Sequence, residues 1–273
     1  MASGKKSRER KRAAAAAPPP VRSKGAPRSR QASPRVLIGA GAAAALIAVV
    51  VVLIVVFTGG GSSTPTITQT VGSAAAGLPG ATDAETLYKG IPQTGLKLGS
   101  PKAPAQMVIY IDLQCPICQN YETTVMPTLV AQYIRTGKVQ LEVKPWAFIG
   151  PDSTRGQKAM FAAAEQNKAF QFAQVLYDNQ ATENTGWLTD DMLISIAGSV
   201  TGMDVPKLMA DRNSSTIAQE VKDVAASAAA DKVGGTPTVF IGKTGSKPSR
   251  VGVANSVPDL SQTEAALDLA LAG

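Results

Sequence analysis

A short apolar strand running straight into a pair of cysteines constrains this chain more than any other feature. Residues Met107 to Tyr121 read Met-Val-Ile-Tyr-Ile-Asp-Leu-Gln-Cys-Pro-Ile-Cys-Gln-Asn-Tyr. The β-branched run Met107 to Ile111 predicts a buried strand, and the residues after Cys118 permit a helix. Cys115 and Cys118 are the only cysteines in the 273 residues. The first turn of a helix carries unpaired N–H groups and the positive end of the dipole, so it favours a thiolate over a thiol. Pro116 suits that turn because its missing N–H would have had no intrahelical partner. The arrangement predicts a redox-active dithiol.

Three other uses of the pair compare poorly. As a structural staple, a four-residue loop stabilises by only about 2 kcal/mol, against roughly 4.7 kcal/mol for a hundred-residue loop. A structural zinc site needs four ligands, mostly Cys and His, and the chain has two cysteines and no histidine. A c-type haem needs histidine directly after the second cysteine, where Gln119 stands. Lack of histidine also removes Ser-His-Asp and Cys-His nucleophile arrangements.

The chain is divided by composition. Residues 1–35 hold eleven Lys or Arg and one acid, Glu9, a net of +10. The whole chain is +7, so residues 36–273 carry 16 basic and 19 acidic groups, a net of −3. The polyalanine, the triple proline and the scattered serines of the first 35 residues predict a disordered arm. Val36 to Phe57 follows as 22 residues without a charge, long enough to span a hydrocarbon core of about 30 Å as a helix. It is longer than the apolar part of a cleaved signal peptide, and no cysteine lies nearby to carry a lipid. A signal anchor is the expectation, with cleavage the alternative. Basic residues on one flank place the N-terminus in the cytoplasm and residues 58–273 outside, where disulfides persist. The arm is then topogenic and attracted to the lipid bilayer; no nucleic-acid partner is expected. Residues 58–83, rich in Gly, Ser, Thr and Ala, predict a flexible tether, and residues 84–273 one folded domain.

Within that domain Leu96 to Leu98 reads as an edge strand and Val139 to Trp146 alternates as the next strand. Helical spacing from Tyr121 to Ile134 is interrupted by Pro127. Residues 152–232 carry helical patterns only, with caps expected at Asp152-Ser153-Thr154 and Thr189-Asp190-Asp191. Phe161, Phe172 and Trp187 fall at helical spacing and read as core. Strand character returns at Thr238 to Ile241, after Gly234-Gly235-Thr236-Pro237, then at Arg250 to Val253, before a terminal helix over Thr263 to Leu271.

The order strand, Cys-x-x-Cys, helix, strand, helical insert, Thr-Pro, strand, strand, helix resembles the DsbA-like branch of the thioredoxin superfamily. Its most specific elements are Asp112-Leu113-Gln114-Cys115-Pro116-Ile117-Cys118 and Gly234-Gly235-Thr236-Pro237-Thr238, and it covers about residues 88–272. The resemblance implies an α/β thioredoxin-like fold with a helical insertion at about 152–232. It implies a cis Pro237 facing the disulfide, and a Thr236 backbone that accepts substrate as an added strand. The implied activity is dithiol–disulfide exchange, with Cys115 as exposed nucleophile, Cys118 as resolving thiol and no cofactor. The implied partners are exported cysteine-containing proteins and a membrane redox partner, DsbB-like or a vitamin K epoxide reductase homologue. A reductase or isomerase fed by a membrane electron donor, or a binding module that never turns over its disulfide, are the alternatives. Two positions depart from the family pattern. Ile117 stands where strong oxidants often have histidine, and Ile109 where many relatives have a buried acid. Pro116, Ile117, Asp112, Glu142 and Lys144 are therefore the candidates for tuning thiol acidity.

Overall fold

Alternation along two neighbouring segments builds the centre of the domain. In β3 (Ala105–Ile111) and β4 (Val139–Pro145) the odd positions Met107, Ile109, Ile111, Leu141 and Val143 are buried in one large core. The even positions Val108 and Tyr110 join a smaller cluster with Phe240. The two strands pair in parallel, with Ile109 opposite Val143 and Ile111 opposite Pro145. Side chains alternate across a strand, so this register fixes which face of the sheet every side chain takes.

The structure is a computed structural model that describes residues 67–253 and 256–272. The basic arm and the apolar run Val36 to Phe57 lie outside these residues. Among the described residues no helix is long and apolar enough to cross a membrane.

Two short strands, β1 (Gln93–Thr94) and β2 (Lys97–Leu98), form a hairpin on the free edge of β4. On the other side β5 (Thr238–Lys243) runs antiparallel to β3, and β6 (Ser249–Arg250) closes the sheet in the order β1-β2-β4-β3-β5-β6. The last strand is shorter than expected, ending at Arg250 rather than Val253. Before the sheet comes α1 (Ala81–Tyr88). After β3 comes α2 (Pro116–Thr124), with Cys115 as its N-cap. Pro127 cannot donate to a continuing helix, so the chain restarts as α3 (Met126–Leu129) and a π-helical turn, Val130–Ile134.

The insertion between β4 and β5 is α4 (Pro151–Glu165), α5 (Ala169–Asp178), α6 (Asp190–Gly198), α7 (Val205–Asp211) and α8 (Ser215–Ala230). Thr189 caps α6 by accepting from Met192 N. The start of α4 differs from expectation. Its N-cap is Gly150, whose N–H donates to Ser153 Oγ, and Asp152 instead accepts from Gly186 N at 2.9 Å. A terminal α9 (Leu260–Ala272) buries Thr263 and Leu267. Phe161 and Phe172 are core, and Trp187 packs against it partly buried.

Part of the segment expected to be a tether is docked. Val205 N donates to Thr70 O, Gly72 N to Met203 O and Ser73 N to Gly198 O, which fastens residues 70–73 onto the insertion. A Cβ at Gly72 would meet Val200 O at 2.0 Å, so only glycine allows this approach. Backbone groups placed against a buried surface need partners, and the α6–α7 corner supplies them.

Candidate active site

The site forms where β3 ends and α2 begins. Asp112, directly after β3, turns the chain. One of its carboxylate oxygens accepts from Gln114 N at 3.0 Å, and the other accepts from Phe148 N and Ile149 N at 3.0 and 3.2 Å. A buried carboxylate is tolerable when its lone pairs are filled in this way. Asp112 O accepts from Tyr177 Oη at 3.0 Å and from Cys115 N at 3.1 Å. The loop is thus held before the helix starts.

Cys115 has extended backbone geometry, and its Sγ accepts from Cys118 N at 3.4 Å. Its own thiol points at Thr236 O, 3.5 Å away. Both cysteines are free thiols. Cys115 is 5% exposed and Cys118 wholly buried. The nucleophile expected to be exposed is instead largely buried and lines the groove beside it. The thiol of Cys118 hydrogen-bonds the Cys115 sulfur and, with the N–H groups of Cys118 and Ile117 and the Thr236 hydroxyl, lowers the Cys115 pKa to about 6 against the opposing effect of burial. Burial, then the neighbouring Cys115 sulfur, pushes Cys118 well above the usual thiol range. Ile117 contributes through its backbone N–H, while its side chain lies 53% exposed on the surface.

The second half of the site comes from the start of β5. The Thr236–Pro237 peptide is cis, and both residues face Cys115 across a groove of about 530 Å³. Ile117, Phe148, Glu183 and Val257 also line it. Phe148 stacks on Trp146, ring centroids 4.8 Å apart. A larger cleft of about 610 Å³, lined by Asp83, Thr123, Gln174 and Asp178, meets neither cysteine.

The structure brings Asp112, Pro116, Ile117, Thr236 and Pro237 to the dithiol, but not Glu142 and Lys144. Glu142 pairs in register with Val108 and Lys144 with Tyr110, so both take the face of the sheet opposite the Cys118 core. Glu142 lies 3.6 Å from Lys97. Lys144 Nζ donates to Ser227 Oγ at 2.7 Å and to Tyr110 Oη at 3.2 Å. Neither candidate is in place to act on the thiols.

Two residues near the site were not singled out from sequence. Glu122 follows Cys118 by four positions, one turn along the same face of α2. It is buried, its Oε1 has no hydrogen-bond partner among the described residues, and burial raises its pKa to about 8. Its charge and those of both cysteines act on Tyr177. The sequence signal was an acid at i+4 from a buried cysteine. Arg250 donates to Asp231 O and Lys232 O at the end of α8 and reaches Thr238 Oγ1 at 3.5 Å. Thr238 Oγ1 in turn donates to Gly235 O at 2.7 Å, so β6 braces the loop that presents Thr236. Among the described residues no group of three or more acidic or sulfur side chains is arranged to hold a metal ion.

Comparison with known proteins agrees with this geometry. A thioredoxin family model matches residues 92–251. The "Probable disulfide bond formation protein D" of Bacillus cereus is 35% identical over 151 residues, covering 54% of this chain and 70% of that protein. The crystal structure of oxidised BdbD from Bacillus subtilis superposes with a TM-score of 0.58 at 20% identity, covering 67% of this chain and 98% of that one. DsbA from Chlamydia trachomatis gives 0.54 at 18% identity, over 64% and 90% of the two chains.

Proposed function

Because the chain belongs to the thioredoxin family and is a DsbA-like thiol–disulfide oxidoreductase, we propose that it introduces disulfides into exported proteins through Cys115 and Cys118. The observation that carries this reading is the asymmetry of the two thiols: one acidic at a helix N-cap, the other buried and held protonated. In the oxidised protein a client thiolate attacks Cys115 Sγ, a mixed disulfide forms, and Cys118 leaves and takes a proton. A second client thiolate then attacks the mixed disulfide and Cys115 leaves. The client loses two electrons and two protons overall, and the protein becomes the dithiol. A low-pKa thiol is the better leaving group, so the second step is driven by the acidity of Cys115. Thr236 and Pro237 border the groove and would receive the client backbone.

The uncharged run Val36 to Phe57, flanked by the basic arm, supports a membrane anchor that holds the catalytic domain outside the cytoplasm. A quinone-linked membrane enzyme, DsbB-like or of the vitamin K epoxide reductase kind, would reoxidise the dithiol. A glutathione redox titration tests the direction of electron flow. Ile117 adds no positive charge beside Cys115, so the expected potential lies between about −200 mV and the −120 mV of the strongest oxidants. A value near −270 mV would instead make the protein a reductase.

A further inference from the structure

We infer that the groove beside Cys115 selects extended client segments that carry a basic residue close to the reacting cysteine, with Glu183 as the specificity determinant. The inference rests on the exchange reading above and names its substrate class. Among the described residues Glu183 is the one charged side chain lining the groove, and its neighbours there include Ile117, Phe148, Ile149 and Val257. An apolar floor with a single anionic rim group is complementary to a segment combining apolar residues with Lys or Arg.

Glu183 is an exposed residue of the groove wall. The groups that set the acidity of Cys115 are Cys118, Thr236 and Ile117, and Glu183 is not among them. The loop that carries Glu183 is fixed from both sides. Asn184 N donates to Gln114 Oε1 at 2.8 Å, and Gln114 Nε2 donates back to Asn184 Oδ1 at 3.2 Å. Gly186 N is held by Asp152 Oδ2, and Gln180 Nε2 donates to Gln114 O at 2.5 Å. Gln114 and Asp152 are both buried. Gln114 immediately precedes the nucleophile, so the residue that sets the position of Cys115 also sets the position of the rim charge. Gly150 lets these loops meet, since a Cβ there would lie 2.1 Å from Asn184 Oδ1.

The test uses the oxidised full chain and three synthetic peptides, identical except that each of their two cysteines is flanked by Lys, by Gln or by Glu. Each rate of disulfide transfer is divided by the rate of the same peptide with hydroxyethyl disulfide, which removes the effect of the flanks on peptide thiol acidity. The expected Lys-to-Glu ratio is about two- to fivefold, as for an exposed charge pair, and it falls toward one in high salt. Glu183→Gln should bring the ratio to one and Glu183→Lys should invert it, while the Cys115 thiolate titration stays in place in both. A ratio of one for the wild type, or a ratio unchanged in Glu183→Gln, overturns the inference while leaving exchange chemistry intact. If the wild type oxidises none of the three peptides, the exchange reading fails and this inference falls with it.

Discussion

The two faces of the central sheet differ in how completely their polar groups are partnered. On the face away from the cysteines, Tyr110 Oη lies 2.7 Å from Ser227 Oγ and donates to Asp231 Oδ2 at 2.6 Å, and Lys144 joins both hydroxyls. Every member of that cluster is partnered, and it ties α8 to β3 and β4. On the face with the cysteines, Glu122 Oε1 is buried with no hydrogen-bond partner among the described residues. A satisfied buried network rigidifies a fold, whereas an unsatisfied group costs free energy and calls for another explanation. Glu122 stands one turn of α2 beyond Cys118, on the helix that carries the dithiol.

The largest effects that sharpen this contrast fall on the thiols. Cys115→Ser should reduce disulfide transfer to the uncatalysed level. Cys118→Ser should accumulate client mixed disulfides on Cys115, visible on non-reducing gels. Capture by the Cys115→Ser protein, and none by Cys118→Ser, would exchange the two roles.

Next is the packing that joins the insertion to the active-site loop. A Cβ at Gly156 would meet Leu113 Cβ at 2.7 Å. Gly156→Val should cost about 1–3 kcal/mol by overpacking and shift the Cys115 titration, because Leu113 lies in the loop held by Asp112. Urea unfolding reads the first effect and thiolate absorbance the second. A destabilised protein with unchanged thiols would uncouple insertion from site.

On the satisfied face, Tyr110→Phe should cost roughly 1–2 kcal/mol by leaving Asp231 and Ser227 short of a partner. The Cys115 titration should not move. A shift there would break the separation of the two faces.

Glu122→Gln should do the opposite and stabilise the protein, by about 1 kcal/mol at pH 8. The sign follows from linkage. Glu122 has a folded pKa of about 8, above the ordinary value of a glutamate. Between those two pH values the folded state binds the extra proton, so stability falls as pH rises and the loss is complete above the folded pKa. The oxidised protein isolates this slope, since reduced Cys115 contributes one of opposite sign. With a folded pKa near 6, its thiolate stabilises the reduced form fully above the ordinary thiol pKa, and that stabilisation is lost as pH falls through 6. Unfolding of oxidised wild type and oxidised Glu122→Gln from pH 4 to pH 9 reads the difference. Equal slopes would place the proton elsewhere.

What the sequence made legible was local. The strand into Cys115-Pro116-Ile117-Cys118 and the Gly-Gly-Thr-Pro before β5 carry their geometry in neighbouring residues, and the helix break at Pro127 follows from a missing N–H. The tuning residues were not local. Alternation along β4 showed that Glu142 and Lys144 share a face, but only the pairing with Val108 and Tyr110 shows that it is the face away from the thiols. Glu122 reads as an ordinary helical acid until α2 is packed against the rest of the core. The clasp of Gln114 and Asn184 joins positions 70 apart. Residues 70–73 have the composition of a tether and still dock, because their partners are backbone groups of the insertion.

A hydrogen bond from the Cys118 thiol, helped by the N–H groups of a helix terminus and set against burial, separates two chemically identical thiols. The most direct test is thiolate ultraviolet absorbance of the reduced protein against pH. The expected result is a single group titrating with a midpoint of about 6, absent in Cys115→Ser, and no second thiolate until the pH is well above 9. Two thiols titrating together near the ordinary cysteine value of about 8.5 would contradict the account.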